Sequence, residues 1–190
     1  MIKSICVYCA SSTHISEVYN RAAEELGTLI GRRGLNVING GGGFGLMRIV
    51  SDAAINAGGT VTGVIPHFMV HNGWCHPNLT EIIKTETMHE RKQTMADMSD
   101  GAITLPGGVG TLEELLEIIT WRQLGLYKHP LVILNTNHYY DPLLEMFRKA
   151  QDEKFMIKGD DGHNEGKPAE LWKVADTPSE ALDHILQSGL

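Results

Sequence analysis

Cysteine is scarce in this chain: three residues in 190, an odd number. A disulfide framework needs pairs, so the thiols are read as reduced and the protein as cytoplasmic. Cys6 and Cys9 do form a Cys-x-x-Cys, but in a run that reads as a strand. There they stand about 10 Å apart, beyond the ~7 Å bridging limit. A redox pair of this spacing opens a helix, and this one does not. No apolar run approaches the ~20 residues of a membrane-spanning helix. The start, Met1-Ile2-Lys3-Ser4-Ile5-Cys6-Val7, carries no signal-peptide cleavage pattern. Basic residues are outnumbered, 16 Lys and Arg against 23 Asp and Glu, for a net charge of −7. That balance argues against nucleic acid or an anionic membrane as partner. A small anion is still within reach of local backbone dipoles and a few placed cations.

What is present is an ordinary folding composition, 42% hydrophobic and 21% charged. A chain this long buries about 70% of its unfolded surface and needs no staples, so residues 1–190 are read as one domain. Short β-branched runs recur at 5–10, 35–39, 60–65, 81–85, 102–105 and 130–135. Helical patterns separate most of them, at 18–33, 46–57, 89–98, 112–124 and 140–155, with a last helix at 178–186 that opens on Pro178 after Thr177. Such alternation predicts a single α/β domain of doubly wound, Rossmann-like type, with a mainly parallel sheet and helices on both faces. Residues 66–79 read as a long irregular connection, and 159–166 as a polar loop.

Glycine is plentiful, at 21, and concentrated where strands pass into helices. Asn39-Gly40-Gly41-Gly42-Gly43-Phe44-Gly45 is one such turn. Gly40, Gly42 and Gly45 formally match the dinucleotide fingerprint. That fingerprint also needs an acid at the end of the next strand to hold a ribose, and here the strand ends Gly63-Val64-Ile65-Pro66. NAD binding is excluded on that ground. No Gly-Lys-Ser/Thr follows either turn, so a Walker loop is excluded too. Four consecutive glycines exceed what a tight turn needs and point to ligand contact. The second turn is Pro106-Gly107-Gly108-Val109-Gly110-Thr111-Leu112-Glu113-Glu114. The N–H groups from Gly108 to Leu112 are expected to converge on a phosphate, aided by the helix dipole and the Thr111 hydroxyl. Both turns would lie at the carboxyl ends of parallel strands, where open α/β sheets bind ligands.

Pro-Gly-Gly-x-Gly-Thr-x-x-Glu, with Met88-His89-Glu90-Arg91-Lys92 upstream, resembles the LONELY GUY family of nucleoside 5′-monophosphate phosphoribohydrolases. Its members are often labelled lysine decarboxylases. The likeness runs from Val7-Tyr8-Cys9 to Tyr139-Tyr140-Asp141-Pro142-Leu143 and covers roughly the first 155 residues. Three positions depart from the pattern: Ala10 where glycine is common, the additional Gly43, and Arg48 where a small residue is usual. The resemblance implies hydrolysis of an N-glycosidic bond in a cytokinin riboside monophosphate or AMP, giving free base and ribose 5-phosphate. It implies Arg91 and Glu114 as catalytic residues. Gly41, Gly42, Met88, Lys92, Gly107, Gly108, Val109, Gly110 and Thr111 are implied as substrate-binding residues. No cofactor and no metal are implied, and a homodimer is the assembly that the resemblance implies.

The residues themselves leave alternatives open. Thr111-Leu112-Glu113-Glu114 is also a capping box, in which Glu114 would serve only the helix end. Glu113 is read as solvated or holding a ribose hydroxyl. Arg91 shares a stripe with Met88, Met95 and Met98, so its guanidinium faces inward and needs an anion, either a ligand or a structural carboxylate. By pattern Lys92 points elsewhere, to the surface. His67, His71, Cys75 and His76 lack a zinc template, and Asp160, Asp161 and Glu165 lack calcium-loop spacing. No spacing singles out a Schiff-base lysine for a decarboxylase. The rival of another class is a non-catalytic carrier, such as a molybdenum cofactor carrier, which shares Gly-rich phosphate turns but has no need of Arg91 with Glu114. The helix at 112–124 shows one apolar stripe at Leu112, Leu115, Leu116 and Ile119, with Ile118 and Trp121 nearly opposite. Two such faces predict a dimer contact there.

Overall fold

The structure, a computed structural model, describes residues 1–156 and 171–188. Apolar runs become strands because β-branched residues suit a pleated, buried surface. They are β1 (Ser4–Tyr8), β2 (Asn36–Asn39), β3 (Thr60–Pro66), β4 (Glu81–Thr85), β5 (Ala102–Thr104), β6 (Leu131–Leu134) and β7 (Lys173–Ala175). The helices are α1 (Glu17–Arg32), α2 (Gly45–Asn56), α3 (His67–His71), α4 (Met88–Asp97), α5 (Val109–Gln123), α6 (Asp141–Asp152) and α7 (Pro178–Gln187). All strands pair in parallel in the order β4-β3-β2-β1-β5-β6-β7. The predicted doubly wound sheet is thus present. One apolar layer packs Ile5 and Val7 of β1 against Leu26, Val50 and Ile185 from α1, α2 and α7. The other packs Cys6 and Tyr8 against Met95, Leu115, Ile118 and Phe147 from α4, α5 and α6. No helix among the described residues is long and apolar enough to cross a membrane.

Two elements went unread in the sequence. α3 is a single turn inside the connection 66–79. β7 has three residues, too few for a period-2 pattern to register, and it lies at the sheet edge. The run 159–166 lies outside the described residues.

The helix α5 begins three residues earlier than its pattern predicts, and this changes several readings. Gly108 is its N-cap, and Leu112 N–H already donates to the Gly108 carbonyl at 2.9 Å. The backbone donors left without an intrahelical acceptor are therefore those of Gly108, Val109, Gly110 and Thr111, without Leu112. Glu114 falls in the second turn, so the capping box at Thr111 does not form. Capping of that kind occurs instead at Thr87 and Thr177, which accept from Glu90 N–H and Glu180 N–H. The buried face of α5 is Thr111, Glu114, Leu115, Ile118 and Ile119, an i, i+3, i+4 progression that places Ile118 beside Leu115 rather than opposite it. Leu116 is exposed.

Candidate active site

The chain runs from β1 outward to β4, then crosses back to place β5 on the other side of β1. The connections after β1 and β5 thus diverge, leaving a crevice at their carboxyl ends, the place where such sheets take ligands. A cavity of about 740 Å³ lies there. Four connections build it: residues 11–14 after β1, the glycine turn after β2, Met69 and Trp74 after β3, and the 107–111 turn after β5.

The first glycine turn is locked from below. Asn39, fully buried, accepts from Gly41 N–H and donates to Ser51 Oγ, both at 2.9 Å. Gly41 takes a left-handed φ of +69°. From above, a short strap crosses the turn. Gly43 N–H donates to the Trp74 carbonyl at 2.8 Å, and His76 N–H donates to the Gly41 carbonyl at 2.9 Å. A Cβ on Gly43 would lie 3.2 Å from the Cys75 carbonyl oxygen, so the additional glycine makes room for this strap. His76 anchors it: its buried ring pairs through Nε2 with Asp52 at 3.0 Å and accepts Asn78 N–H at Nδ1. Arg48 joins the same Asp52 from the exposed side at 3.3 Å and does not line the cavity. His76 is thus a structural residue, and no group of three or more His, Cys, Asp or Glu suited to a metal is present among the described residues. Cys6 and Cys9 are buried free thiols, pushed well up by burial, which is unsuited to redox exchange.

Arg91 and Glu114 meet at the cavity floor. Arg91 Nη1 donates to Glu114 Oε1 at 3.0 Å, and Arg91 Nε donates to the Val64 carbonyl at 3.0 Å. The side chains are 6% and 8% exposed, so the pair lies in a low-dielectric environment. Burial raises the Glu114 carboxyl above its ordinary range, and the neighbouring Arg91 only partly opposes this. Gly40 makes the arrangement possible: an added Cβ would stand 1.6 Å from Arg91 Nη2.

Of the residues expected to bind substrate, Gly42, Gly108, Val109, Gly110 and Thr111 line the cavity together with Arg91 and Glu114. Gly41, Gly107, Met88 and Lys92 do not. Met88 and Met98, at the two ends of α4, are exposed, so the expected stripe keeps only Arg91 and Met95. Lys92 is buried, not superficial, because its ammonium reaches across to α5. It pairs with Glu113 and Glu117, the former at 2.5 Å and the latter at 3.1 Å. Glu113 is thereby engaged, neither simply solvated nor turned to the cavity. Sequence reasoning missed Ser11, Ser12, Thr13 and His14, which offer polar groups at the rim, and the apolar wall of Phe44, Met47, Met69 and Trp74. Their position just after β1, β2 and β3 was the available signal.

A family model described as "Possible lysine decarboxylase" matches residues 47–185. The chain is 46% identical over 154 residues to the cytokinin riboside 5′-monophosphate phosphoribohydrolase LOG5 of Arabidopsis thaliana, covering 81% of this chain and 68% of that protein. It is 43% identical to the enzyme of the same name from Rhodococcoides fascians, covering 81% and 78%. Among solved structures, a molybdenum cofactor binding protein from Rippkaea orientalis superposes with a TM-score of 0.71 at 21% identity, covering 98% of this chain and 97% of that one. A molybdenum cofactor carrier from Chlamydomonas reinhardtii gives 0.72 at 24%, covering 98% of each. At these identities the likeness is one of fold.

Proposed function

This chain belongs to the LONELY GUY family of cytokinin riboside 5′-monophosphate phosphoribohydrolases, and we propose that it hydrolyses the N-glycosidic bond of a nucleoside 5′-monophosphate. The substrate is a cytokinin riboside monophosphate or AMP; the products are free base and ribose 5-phosphate. The observation that carries this reading is the buried Arg91–Glu114 pair set beside the free N–H groups of the 107–111 turn. The turn holds the 5′-phosphate on backbone donors at the positive end of α5. That anchor places the anomeric carbon near Glu114, and the base toward Phe44, Met69 and Trp74. As the C–N bond breaks, its electrons leave with the base nitrogen, which takes a proton. The sugar acquires oxocarbenium character. The Glu114 carboxylate stabilises that positive charge and orients the water, whose oxygen bonds to the anomeric carbon as one of its protons passes to the carboxylate. That proton balances the one taken up by the base, so one water is divided between sugar and base. Arg91 holds the carboxylate in place and partly offsets the cost of its burial.

The working unit is a homodimer in the cytoplasm. Leu116, Leu124 and Leu126 stay exposed on and just beyond α5, an apolar surface that a second copy covers. A carrier role on the same fold has no use for a buried acid paired with arginine at the centre of the cavity. The test is incubation with AMP, a prenylated adenosine monophosphate, other nucleotides and adenosine, with chromatographic assay of released base. Base released from nucleotides and not from adenosine supports the reading. Tight binding of nucleotide with no release favours the carrier.

A further inference from the structure

Two consecutive tyrosines hold the second glycine turn from behind. Tyr140 Oη donates to the Leu105 carbonyl and Tyr139 Oη to the Gly107 carbonyl, each at 2.7 Å. Tyr140 is a core residue, and its hydroxyl serves a buried carbonyl. Tyr139 differs: it is 42% exposed, and it does not line the cavity. Its hydroxyl is therefore not required by packing, and its effect passes through the peptide it touches.

That peptide joins Gly107 to Gly108. In a trans peptide the C=O and the N–H point in opposite directions, and the chain has no cis bond among the described residues. Drawing the Gly107 carbonyl toward Tyr139 therefore turns the Gly108 N–H away from Tyr139, and of these residues Gly108 alone lines the cavity. Neither glycine has a side chain to fix the plane, so an outside hydrogen bond sets it.

The approach to Tyr139 is built at a cost. Asn137 and His138 both adopt left-handed backbone, at φ of +56° and +57°. Two such residues in succession, neither a glycine, persist only where the surroundings over-determine them, and strain of this kind collects at functional sites. The surroundings here are specific. Asn135 accepts from Tyr140 N–H and donates to Asp141, both at 2.7 Å. The Tyr139 ring meets Tyr19 and Tyr140 edge-on, with centroids 5.8 and 5.0 Å apart.

We propose that Tyr139 is a positioning residue, which orients the 107–108 peptide so that Gly108 N–H donates to the 5′-phosphate and so sets the affinity for the phosphate end of the substrate. This rests on reading the 107–111 turn as the phosphate site. Tyr139→Phe keeps both ring contacts and removes one oxygen. Titration calorimetry with ribose 5-phosphate and with adenine, on the wild type and the variant, separates the two ends of the site without needing turnover. The expected result is a rise of about tenfold in the Kd of ribose 5-phosphate, the effect of losing one preorganised hydrogen bond. The adenine Kd stays put, and the KM for AMP rises with kcat nearly kept. A ribose 5-phosphate Kd within twofold of wild type overturns the proposal, as does equal weakening for adenine, which marks general distortion. Wild type that fails to bind ribose 5-phosphate overturns it as well. Wild type that binds it yet releases no base from any nucleotide sinks the hydrolase reading alone, and the two affinities still decide the role of Tyr139.

Discussion

Gly40→Ala is the smallest change that reaches the chemistry. The added Cβ would stand 1.6 Å from Arg91 Nη2 and 2.8 Å from Cζ, where ordinary contact begins at 3.4 Å. The guanidinium must retreat by 3.4 − 1.6 = 1.8 Å. It is tied at two points, to the Val64 carbonyl through Nε and to Glu114 through Nη1, each at 3.0 Å. A displacement of that size breaks at least one of them. A hydrogen bond to a charged group contributes about 1.5–3 kcal/mol, and a domain of this size loses roughly 2–4 °C of melting temperature per kcal/mol. The expected drop is thus about 3–12 °C, which leaves a folded protein at room temperature. Catalysis is more sensitive, since a misplacement of about 1 Å is enough to cost ~10²-fold. Steady-state hydrolysis of AMP on the variant should show kcat/KM lower by at least that factor, with melting followed in parallel. Gly42→Ala is the comparison. Its Cβ would meet only the flexible Met47 side chain, at 3.1 Å for the sulfur, and activity should fall by less than about tenfold. Wild-type kcat/KM in Gly40→Ala would refute the claim that Gly40 exists to seat the guanidinium.

Glu114→Gln should fold and lose about 10²–10⁴-fold in rate; near-normal hydrolysis of AMP would remove Glu114 from the chemistry. Because burial holds the Glu114 carboxyl above its ordinary value of 4.5, the ascending limb of kcat/KM should lie above the usual carboxylate range and vanish in the Gln variant. The raised value also fixes the sign for stability: the Glu114 contribution is full below about pH 4.5 and is lost as pH rises through the raised value, a trend that denaturant titrations of Glu114→Gln should lack. Gly108→Asp fills open space facing the anion site with a negative charge, and calorimetry should find nucleotide binding abolished while far-UV spectra stay native. Sedimentation at micromolar concentration should show a dimer that Leu116→Glu with Leu124→Glu converts to monomer; a wild-type monomer would remove the α5 contact.

The elements that pattern could reach were those with strong periodicity and clean punctuation. The β4 bounds, 81–85, were read directly, and α7 was fixed by Thr177 and Pro178. The turn before α5 was misjudged because Gly107, Gly108 and Gly110 look like loop, and propensity places the helix start after them. In the fold Gly108 is the extended cap and Gly110 already lies in the first turn of the helix, where a bare backbone leaves the N–H groups open to an anion. Lys92 shows the limit on the other side. Helical spacing says which face a residue is on, but not that Glu113 and Glu117 of another helix will meet it there. Arg91 was legible as inward-facing, while its seat on Gly40 and its bond to Val64 are long-range facts with no local signal. His76 was visible only as a stray histidine until Asp52 came within 3.0 Å.

Two descriptions attach to this architecture besides glycosidic hydrolysis, and the cavity bears on both. A decarboxylase working through a Schiff base needs an amine inside the site that is available as a nucleophile. Among the described residues no lysine lines the cavity. Lys92, the nearest in sequence to Arg91, has its ammonium bound by two carboxylates. Burial pulls its pKa down, the hydrogen bonds it donates to Glu113 and Glu117 push it up, and the net direction is up. Its lone pair is thus withheld on both counts. A cofactor carrier needs the phosphate turn and a wide crevice, which the fold supplies by its strand order alone. What it does not need is a carboxylate kept at the cavity floor against its burial cost by an arginine that is itself admitted only by a glycine. Replacing a buried ion pair by apolar groups of similar volume is often neutral or stabilising by about 1–4 kcal/mol, so the arrangement is poor engineering for stability. A positive charge that exists only fleetingly, at the anomeric carbon, is the thing it suits.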